Sequence, residues 1–431
     1  MLRIAVVALS LISIASAEAQ IKNIQIAVRK DGMRYSPVEP SIVINKRNPE
    51  NIIAGVVLDR AIYTQDGGMS WQETQLQSPL GVFGDPALVS DSKGNIYYFH
   101  LADPSGQGRS HDAWLDRIVV QKSGDGGKTW DEGKTIGLNP PKDQDKPWPV
   151  VHPRKSQIAV TWTQFDKYGS ADKACQSNIL FSQSGGKKWS RPVQINQNPG
   201  NCIDDDDTAE GAVPAIALDG KMYVAWSNGG YIYFDRSFNE GKTWLTNDLV
   251  VTEHKGGWSM NIPGLSRCNG MPVLMVDTSP SRMQGTLFLV WADQRNGEND
   301  TDIWFSRSTN YGDLWTTPVR INKDGPGKHQ FLPWMAVDQT TGNIYIVYYD
   351  RRAYDDHQTD VYLAYSTDGG SNFTEVKISE SPFVPTADKF FGDYNNISAH
   401  KGIIAPVWTR MENGESSVWT AVIKESELIK K

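Results

Sequence analysis

The stretch Ser123-Gly-Asp125-Gly-Gly127-Lys-Thr129-Trp130 decides the fold, because its pattern returns along the chain. Six copies occur, which we call the repeat turns; each has Ser or Thr, a short polar residue two positions later, Gly, and a closing aromatic residue. The short polar residues are Asp66, Asp125, Ser184, Asn239, Asn310 and Asp368. The closing aromatics, Trp71, Trp130, Trp189, Trp244, Trp315 and Phe373, lie 55 to 71 residues apart. This regular spacing is typical of a repeat protein.

Each repeat turn has a mechanical interpretation. An apolar or alternating segment precedes each copy, such as Ile118–Val120 or Val361–Tyr365. The Asp or Asn side chain can accept hydrogen bonds from backbone amides inside the turn, and the Gly supplies a positive φ. The closing aromatic is then expected to fold back as a hydrophobic plug between neighbouring sheets. The pattern therefore predicts a hairpin loop between the third and fourth strands of each unit.

The residues upstream of each repeat turn predict the other strands. A short inner strand opens near a proline, as in Glu39-Pro40 and Asp85-Pro86, and a second strand such as Met222–Trp226 follows after a turn. Four strands in each unit of roughly 50–60 residues, without helical periodicity, indicate an all-β fold, a β-propeller of four-stranded blades.

The two chain ends are expected to close the ring. A last unit over residues 393–423 lacks a repeat turn, and Ile24–Val28 can supply its missing outer strand. Such a closure removes free sheet edges. We count seven blades, with six as the alternative, and assign residues 20–431 to a single propeller domain.

The first residues carry an export signal. Arg3 gives a short positive region, residues 4–14 are apolar, and Ala17-Glu18-Ala19 is a small-x-small cleavage site. This arrangement predicts a signal peptide over residues 1–19 and a secreted or periplasmic protein. No later segment approaches the twenty apolar residues of a transmembrane helix.

Charge limits the partners. The formal net charge of −7 argues against nucleic acid or an anionic membrane, since both need a basic surface. An acidic sugar remains possible because a few arginines suffice to bind it. The oligomeric state stays open.

Three cysteines allow one disulfide in an oxidising compartment. We expect Cys175 to pair with Cys202, since both should lie in loops at the same mouth of the propeller, and Cys268 to remain free.

The repeat turns resemble the Asp-boxes, or bacterial neuraminidase (BNR) repeats, of the sialidase superfamily. The whole chain is similar to secreted bacterial exo-α-sialidases and BNR-repeat glycosyl hydrolases. Asp-boxes also occur in xyloglucanase-type propellers, in sortilin-like receptors and in assembly factors without catalysis, so the resemblance implies the fold more directly than the activity. It also implies that the Asp-boxes lie on the face opposite the usual active site.

The resemblance implies an arginine cluster for an acidic sugar. Sialidases share a Phe-Arg-Ile-Pro element on the first inner strand, whereas this chain has Val38-Glu39-Pro40-Ser41 there, so Arg34 or Arg60 would substitute. Loops between second and third strands offer further arginines, which either pair with local aspartates or converge on an anionic substrate. The substrate-binding candidates are Arg60, Arg295, Arg352 and Arg410.

Several residues near the predicted mouth could perform acid–base chemistry. Asp59, Asp85 and Glu39 are candidate acids or substrate ligands, with the alternative that they bond to backbone amides. Glu210 and Tyr394 could form the Tyr–Glu nucleophilic pair that the resemblance implies, in which the carboxylate accepts the phenolic proton. Their alternative role is to line the channel without reacting.

Aromatic and acidic residues complete the candidates. Trp148 and Trp226 could stack on sugar rings or pack between blades. The run Asp204–Asp207 could hold Ca²⁺ through Asp204 and Asp206, or could simply be a solvated loop. No cofactor is required by the chemistry considered.

The sequence supports three functions. The first is a secreted, sialidase-like glycoside hydrolase acting on glycans that contain acidic sugars, with its pocket at the axial funnel mouth. A lyase acting on uronic-acid polysaccharides would use the same arginines with a Tyr or His base. The alternative is a non-catalytic propeller that binds glycan or protein at the cell surface.

Overall fold

Seven antiparallel sheets form a closed ring, so the chain folds as a seven-bladed β-propeller. The computed structural model describes residues 21–33, 35–185 and 188–429. The predicted signal peptide and Arg34 lie outside these residues. The innermost strands of neighbouring blades contact one another around the whole ring, which defines an axis through its centre.

The strands follow the chain blade by blade. The first strand, β1 (Ile24–Val28), belongs to the last blade. Blade 1 has β2 (Ser41–Ile44), β3 (Ile52–Val56), β4 (Arg60–Thr64) and β5 (Gln72–Gln75). Blade 2 has β6 (Ala87–Ser90), β7 (Ile96–Leu101), β8 (Ile118–Ser123) and β9 (Lys134–Ile136). Blade 3 has β10 (Asp143–Val151), β11 (Ile158–Phe165), β12 (Ser177–Ser184) and β13 (Val193–Gln194). Blade 4 has β14 (Glu210–Ile216), β15 (Met222–Asn228), β16 (Tyr231–Ser237) and β17 (Leu249–Glu253).

The remaining blades keep the same order. Blade 5 has β18 (Val273–Val276), β19 (Leu287–Asp293), β20 (Asp302–Ser308) and β21 (Val319–Arg320). Blade 6 has β22 (Gln330–Val337), β23 (Ile344–Asp350), β24 (Asp360–Ser366) and β25 (Thr374–Lys377). Blade 7 has β26 (Asn396–His400), β27 (Ile403–Glu412), β28 (Glu415–Thr420) and β29 (Ile423–Lys424). A short 3₁₀ turn (Gly108–Ser110) and a short helix, α1 (Glu425–Leu428), are the helical elements of the described residues.

Pairing of the chain ends closes the ring as predicted. Strand β1 pairs antiparallel with β28, with Ile24 opposite Thr420 and Val28 opposite Ser417. The N-terminal strand thereby supplies the outer strand of blade 7. Seven blades are confirmed, and the six-blade alternative is wrong.

The repeat turns are held by the hydrogen bonds that their side chains suggest. In the turn of blade 2, the Ser123 hydroxyl accepts from the Gly127 amide at 2.9 Å. The Asp125 carboxylate accepts from the amide and hydroxyl of Thr129 at 3.0 and 2.6 Å. These bonds lower the pKa of Asp125 more than desolvation raises it. Equivalent bonds occur around Asp66, Asn239, Asn310 and Asp368.

The closing aromatics plug the space between blades. The Phe373 ring of blade 6 packs on Phe305 of blade 5, with centroids 5.0 Å apart. Trp315 of blade 5 packs on Phe234 of blade 4 at 5.5 Å. At Gly312, with φ of 89°, a Cβ would come within 2.3 Å of the Phe234 ring, so only glycine fits between turn and plug.

The loops divide between two faces. The repeat turns and the turns between first and second strands share one face, which we call the repeat face. The loops between second and third strands, and those leading into each inner strand, form the opposite, long-loop face. A disulfide joins Cys175 and Cys202 on this second face, as predicted, while Cys268 is free and buried. No helix of the described residues is long and apolar enough to cross a membrane.

We expect Phe373→Ala to destabilise the propeller by about 3–5 kcal/mol, because it removes a buried aromatic plug. Phe373 is 7% exposed, whereas Leu314, in the turn of blade 5, is 73% exposed. Leu314→Ala is therefore the control and should change stability by less than about 0.5 kcal/mol. Urea unfolding measures both, and equal effects of the two substitutions would contradict the plug.

Candidate functional site

The inner strands turn selected side chains towards the axis on the long-loop face. Glu39, Asp85, Lys146 and Leu332 have φ between 48° and 52°, and each directly precedes a proline. In blades 3 and 6 this left-handed residue falls within a register shift between first and second strands. Left-handed backbone costs a non-glycine residue on the order of 1–3 kcal/mol, and such strain tends to collect at functional sites. Three of these four residues, Glu39, Asp85 and Lys146, have ionisable side chains.

A buried ion-pair network connects opposite sides of the ring. The Lys146 ammonium lies 2.9 Å from Asp393 and 4.0 Å from Asp85. Arg267 donates to the other Asp393 oxygen at 2.8 Å and to Asp204 at 2.8 Å. Lys146 lies on the inner strand of blade 3, and the other residues lie in the loops that lead into the inner strands of blades 2, 4, 5 and 7. Because these positions surround the ring, the network lies on the axis. We call it the axial cluster.

The two cations of the axial cluster stay charged. Burial lowers the pKa of Lys146, but Asp393 and Asp145 outweigh it and raise that pKa well above its usual value. Desolvation likewise opposes the charge on Arg267, and the Asp393 and Asp204 carboxylates reverse the effect, so its pKa is raised. The same contacts hold the pKa values of Asp393 and Asp204 below the usual range, despite burial.

Neighbouring carboxyls show the opposite behaviour. Burial, followed by the charge of Asp393, raises the pKa of Glu39 to about 7. Burial and the Glu39 charge raise the pKa of Asp85 well above its usual value. Burial also raises the pKa of Asp145. These three groups therefore hold protons at pH values where ordinary carboxyls have lost them.

Glu210 forms a carboxyl pair with Asp204. Burial and the Asp204 charge raise the pKa of Glu210 well above its usual value. No N–H or hydroxyl of the described residues donates to either Glu210 oxygen. Asp204, in contrast, accepts from the Tyr168 hydroxyl at 2.8 Å and the Trp258 indole at 2.7 Å. A protonated Glu210 beside an ionised Asp204 satisfies both groups.

Tyr394 also interacts with the cluster. Burial, then the charges of Asp85 and Glu39, raise the pKa of Tyr394 well above its usual value. The carboxyl charges that act most strongly on the phenol are those of Asp85 and Glu39, whereas the Glu210 carboxyl interacts with Asp204. The pairing of Tyr394 with Glu210 stays a prediction.

An aromatic layer closes the axis beneath the cluster. Trp148 lies 4.3 Å from Trp334 and 5.0 Å from Tyr394 between ring centroids. Trp148 is buried, so it forms the floor of the cluster rather than an exposed sugar platform.

A cavity of about 730 Å³, which we call the side pocket, opens on the long-loop face between blades 1 and 2. Tyr35, Phe83 and Trp114 give it an aromatic wall. The Arg109 guanidinium stacks on Trp114 and on Tyr168, 5.2 Å from each ring, with no carboxylate of the described residues within ion-pair distance. Since Tyr168 bonds to Asp204, this pocket borders the axial cluster.

The pocket also contains Asp59. Its carboxylate accepts from the Gln75 amide at 2.8 Å. Asp59 thus lines the side pocket and is not part of the axial cluster, to which Glu39, Asp85, Glu210 and Tyr394 belong.

The four candidate arginines do not converge. Arg295 bonds to Asp293 and stacks on Trp304, 4.5 Å from its ring. The others likewise bind within or beside their own blades: Arg60 to Glu73, Arg352 to Asp350 and Glu375, and Arg410 to Glu412 and Ser381. Their carboxylate partners lie on second or outer strands of the same blade, so each guanidinium is held within its own blade. Of the two alternatives, local pairing and convergence on a substrate, the structure has local pairing.

The remaining candidates, Trp226, Asp204 and Asp206, also contact other residues of the protein. Trp226 is fully buried and stacks on Tyr233, so it packs inside blade 4 and reaches no ligand. Asp206 accepts from the Ser259 amide, whereas Asp204 faces Arg267. No group of three His, Cys, Asp or Glu side chains among the described residues could hold a metal, and the calcium hypothesis gains no support.

Lys146, Arg267 and Asp393 were not assigned a role in the site from the sequence. Lys146-Pro147 repeats the arrangement of Glu39-Pro40 and Asp85-Pro86, so aligning the inner strands could have found it. Arg267 lies in a long loop without a motif, and no sequence signal points to it.

Comparisons with known proteins show the fold. No protein-family model matches the sequence, and a search of curated proteins finds no match. Among solved structures, the chain is similar to an ulvan lyase of polysaccharide lyase family PL25 bound to -[GlcA(1-4)Rha3S]-, with a TM-score of 0.56, 12% identity and coverage of 94% and 96% of the two chains.

Two glycoside hydrolases are also similar. The α-L-arabinanase of Penicillium chrysogenum with arabinobiose has a TM-score of 0.51 and 13% identity, covering 95% of this chain and 99% of that one. The Trypanosoma rangeli sialidase with sialic acid has a TM-score of 0.50 and 14% identity, covering 91% of this chain and 60% of that one. At such identities the likeness is one of fold, and the site must carry the functional argument.

We expect the raised pKa of Glu39 to appear in the pH dependence of stability. Because the folded protein holds this proton more tightly than the unfolded chain, unfolding becomes easier as pH rises from 4.5 to about 7. Over that window the parent should lose about 3 kcal/mol of unfolding free energy relative to Glu39→Gln. Glu415→Gln, at an exposed strand end, controls for the lost charge; parallel curves for parent and Glu39→Gln would refute the assignment.

Proposed function

We propose that this protein is a carbohydrate-active enzyme that hydrolyses glycosidic bonds at the axial cluster. The observation that carries the proposal is the divergence of pKa values among adjacent carboxyls. Asp393 and Asp204 stay ionised, while Glu39 and Asp85 retain protons. Environments that push neighbouring acids apart in this way are typical of acid–base catalysis.

Asp85 suits the role of proton donor. Its side chain is 14% exposed, more than those of Lys146 and Asp393 at 3% each, and it lies beside the Lys146 ammonium. In the proposed reaction, the Asp85 carboxyl gives its proton to the leaving glycosidic oxygen as the bond to the anomeric carbon breaks.

Tyr394 and Glu39 suit the opposite side of the reaction. Because the Tyr394 pKa is raised, the phenol reacts as a nucleophile only if a carboxylate takes its proton. With a pKa of about 7, Glu39 is ionised in a fraction of the molecules near neutral pH, and in that form it accepts the phenolic proton while the phenolic oxygen attacks the anomeric carbon. Water then attacks the anomeric carbon and gives a proton to Asp85, while the bond to the tyrosine oxygen breaks and Glu39 returns its proton to that oxygen.

The side pocket supports binding of an acidic sugar unit. Arg60, Arg295, Arg352 and Arg410 are bound to carboxylates, whereas Arg109 presents its guanidinium to the pocket. The aromatic wall suits stacking against a sugar ring. We therefore place an acidic residue of the glycan beside Arg109 and the scissile bond at the axial cluster.

We also propose that the protein acts outside the cytoplasm and uses no cofactor. The predicted signal peptide and the disulfide Cys175–Cys202 fit an oxidising compartment. The steps above use only side chains of this chain.

We expect Asp85→Asn and Tyr394→Phe each to lower kcat on aryl glycosides and oligosaccharides by at least about a hundredfold. Asp313→Asn, an exposed carboxylate on the repeat face, is the matched control and should keep parental rates. The screen should include sialosides, arabinosides and uronic-acid glycans.

The outcome separates three functions. Hydrolysis that depends on Asp85 and Tyr394 supports the proposal. An unsaturated product that absorbs in the ultraviolet would indicate a lyase instead. Glycan binding without turnover of any substrate would leave the non-catalytic propeller.

We expect Arg109→Ala to raise KM for acidic oligosaccharides about tenfold while kcat and the KM of neutral substrates stay unchanged. A charge-assisted contact of this kind contributes about 1.5–3 kcal/mol. Steady-state kinetics on matched acidic and neutral glycans measures this, and an equal effect on both would remove the acidic sugar from the proposal.

A further inference from the structure

A second cavity of about 620 Å³ lies on the axis at the repeat face. Its wall is built by inner strands of all seven blades and is largely apolar. The apolar wall residues include Val43, Val89, Val150, Ala215, Met275, Ala336 and Ala399. Ser41, Ser90, Asn396 and Ser398 also line it, and each accepts a hydrogen bond from a backbone amide of the adjacent blade or its loop.

The aromatic floor separates this cavity from the axial cluster. Trp148 and Trp334 line the inner end of the cavity, and Tyr394 packs against both on the side of the axial cluster. From Trp148 strand β10 runs three residues to Val151, about 10 Å at 3.3 Å per residue, and the chain reaches the rim two residues later at Pro153. The cavity is therefore an elongated apolar channel that is closed at its inner end.

The rim of this channel is basic. Its titratable lining residues are Lys46, Arg154 and His400, and no Asp or Glu of the described chain lines it. Burial lowers the pKa of Lys46, against the opposing charge of Asp91, so the exposed Arg154 supplies the permanent charge. In a protein with net charge −7, a rim of only basic groups is unexpected.

We propose that this channel binds an anionic amphiphile, a linear alkyl chain with a carboxylate head of the fatty-acid type. The alkyl chain occupies the apolar channel down to Trp148 and Trp334, where it leaves contact with water. The carboxylate stays at the rim beside Arg154 and Lys46. This site is independent of the proposed hydrolysis, because the aromatic floor lies between them.

The test is calorimetric titration of the full mature chain with octanoate, decanoate and dodecanoate below their micelle concentrations. Each added methylene buried should tighten binding about fourfold, so each two-carbon step gives about fifteenfold. Dodecanol and dodecyltrimethylammonium, which have the same chain and a neutral or cationic head, should bind more weakly than dodecanoate.

Variants locate the ligand. Arg154→Ala should weaken dodecanoate binding about two- to fivefold and leave dodecanol unchanged, because the exposed guanidinium contributes only to the head. Ala399→Trp, at a half-buried position near the rim, should block the channel and abolish binding, with circular dichroism confirming the fold. Asp85→Asn, beyond the aromatic floor, should bind dodecanoate like the parent.

Three results would overturn the proposal. One is an affinity that does not change with chain length. Another is undiminished dodecanoate binding by folded Ala399→Trp. The third is equal or tighter binding of the cationic amphiphile, which would exclude the anionic head.

Discussion

The contact between one blade's repeat turn and its neighbour is the constraint on which the ring depends. In each of blades 4 to 6 the turn brings a glycine and an aromatic ring onto a third-strand phenylalanine of the preceding blade, as Gly312 and Trp315 do on Phe234. The Ser and Asp side chains close the turn with bonds to its own amides, so the conformation of the turn is fixed by its own residues. Six blades thus carry a repeat turn that packs on a neighbouring blade, and β1 completes blade 7, which has no such turn, to close the circle.

Closing the circle creates the axis, and the inner strands decide what the axis contains. On the repeat face they present small apolar side chains, which leaves a channel. On the long-loop face the same strands bend at Glu39, Asp85 and Lys146, where a left-handed residue before a proline turns a charged side chain inward. The energetic cost of these conformations is carried by the surrounding sheets, whose pairing fixes the backbone on either side of each bend. The functional candidates are therefore a product of the same strands that hold the ring together.

The sequence predicted the parts of this arrangement that local patterns encode. The repeat turns, with the last unit over residues 393–423, predicted the blade number, and the position of the loops predicted the Cys175–Cys202 disulfide. Residues next to inner-strand prolines, such as Glu39 and Asp85, could be placed near the axis because blades 1, 2, 3 and 6 repeat that geometry. Partners across the ring could not be predicted, since Lys146 and Asp393 are 247 residues apart in the sequence and meet only when four blades have folded. For the arginines, the local alternative that the sequence offered is the one that the structure has: Asp293 and Arg295 are two residues apart and bond to each other.

The charge balance of the axial cluster explains why its chemistry is concentrated in so few groups. Six carboxyls, those of Glu39, Asp85, Asp145, Asp204, Glu210 and Asp393, share the site with two cations, Lys146 and Arg267. In a buried site each uncompensated charge is costly, so the cations keep only two carboxylates ionised and the others retain protons. Asp393 accepts from both cations and Asp204 from Arg267, which identifies them as the ionised pair. The protonated carboxyls then follow from electroneutrality, without any requirement for a bound ligand.

A substrate that displaces Arg267, whose side chain is 41% exposed over the cluster, would alter this balance and redistribute the protons. In the proposed enzyme, substrate binding and proton transfer would be coupled through one arginine, which is the physical basis for expecting chemistry rather than simple packing at this end of the axis.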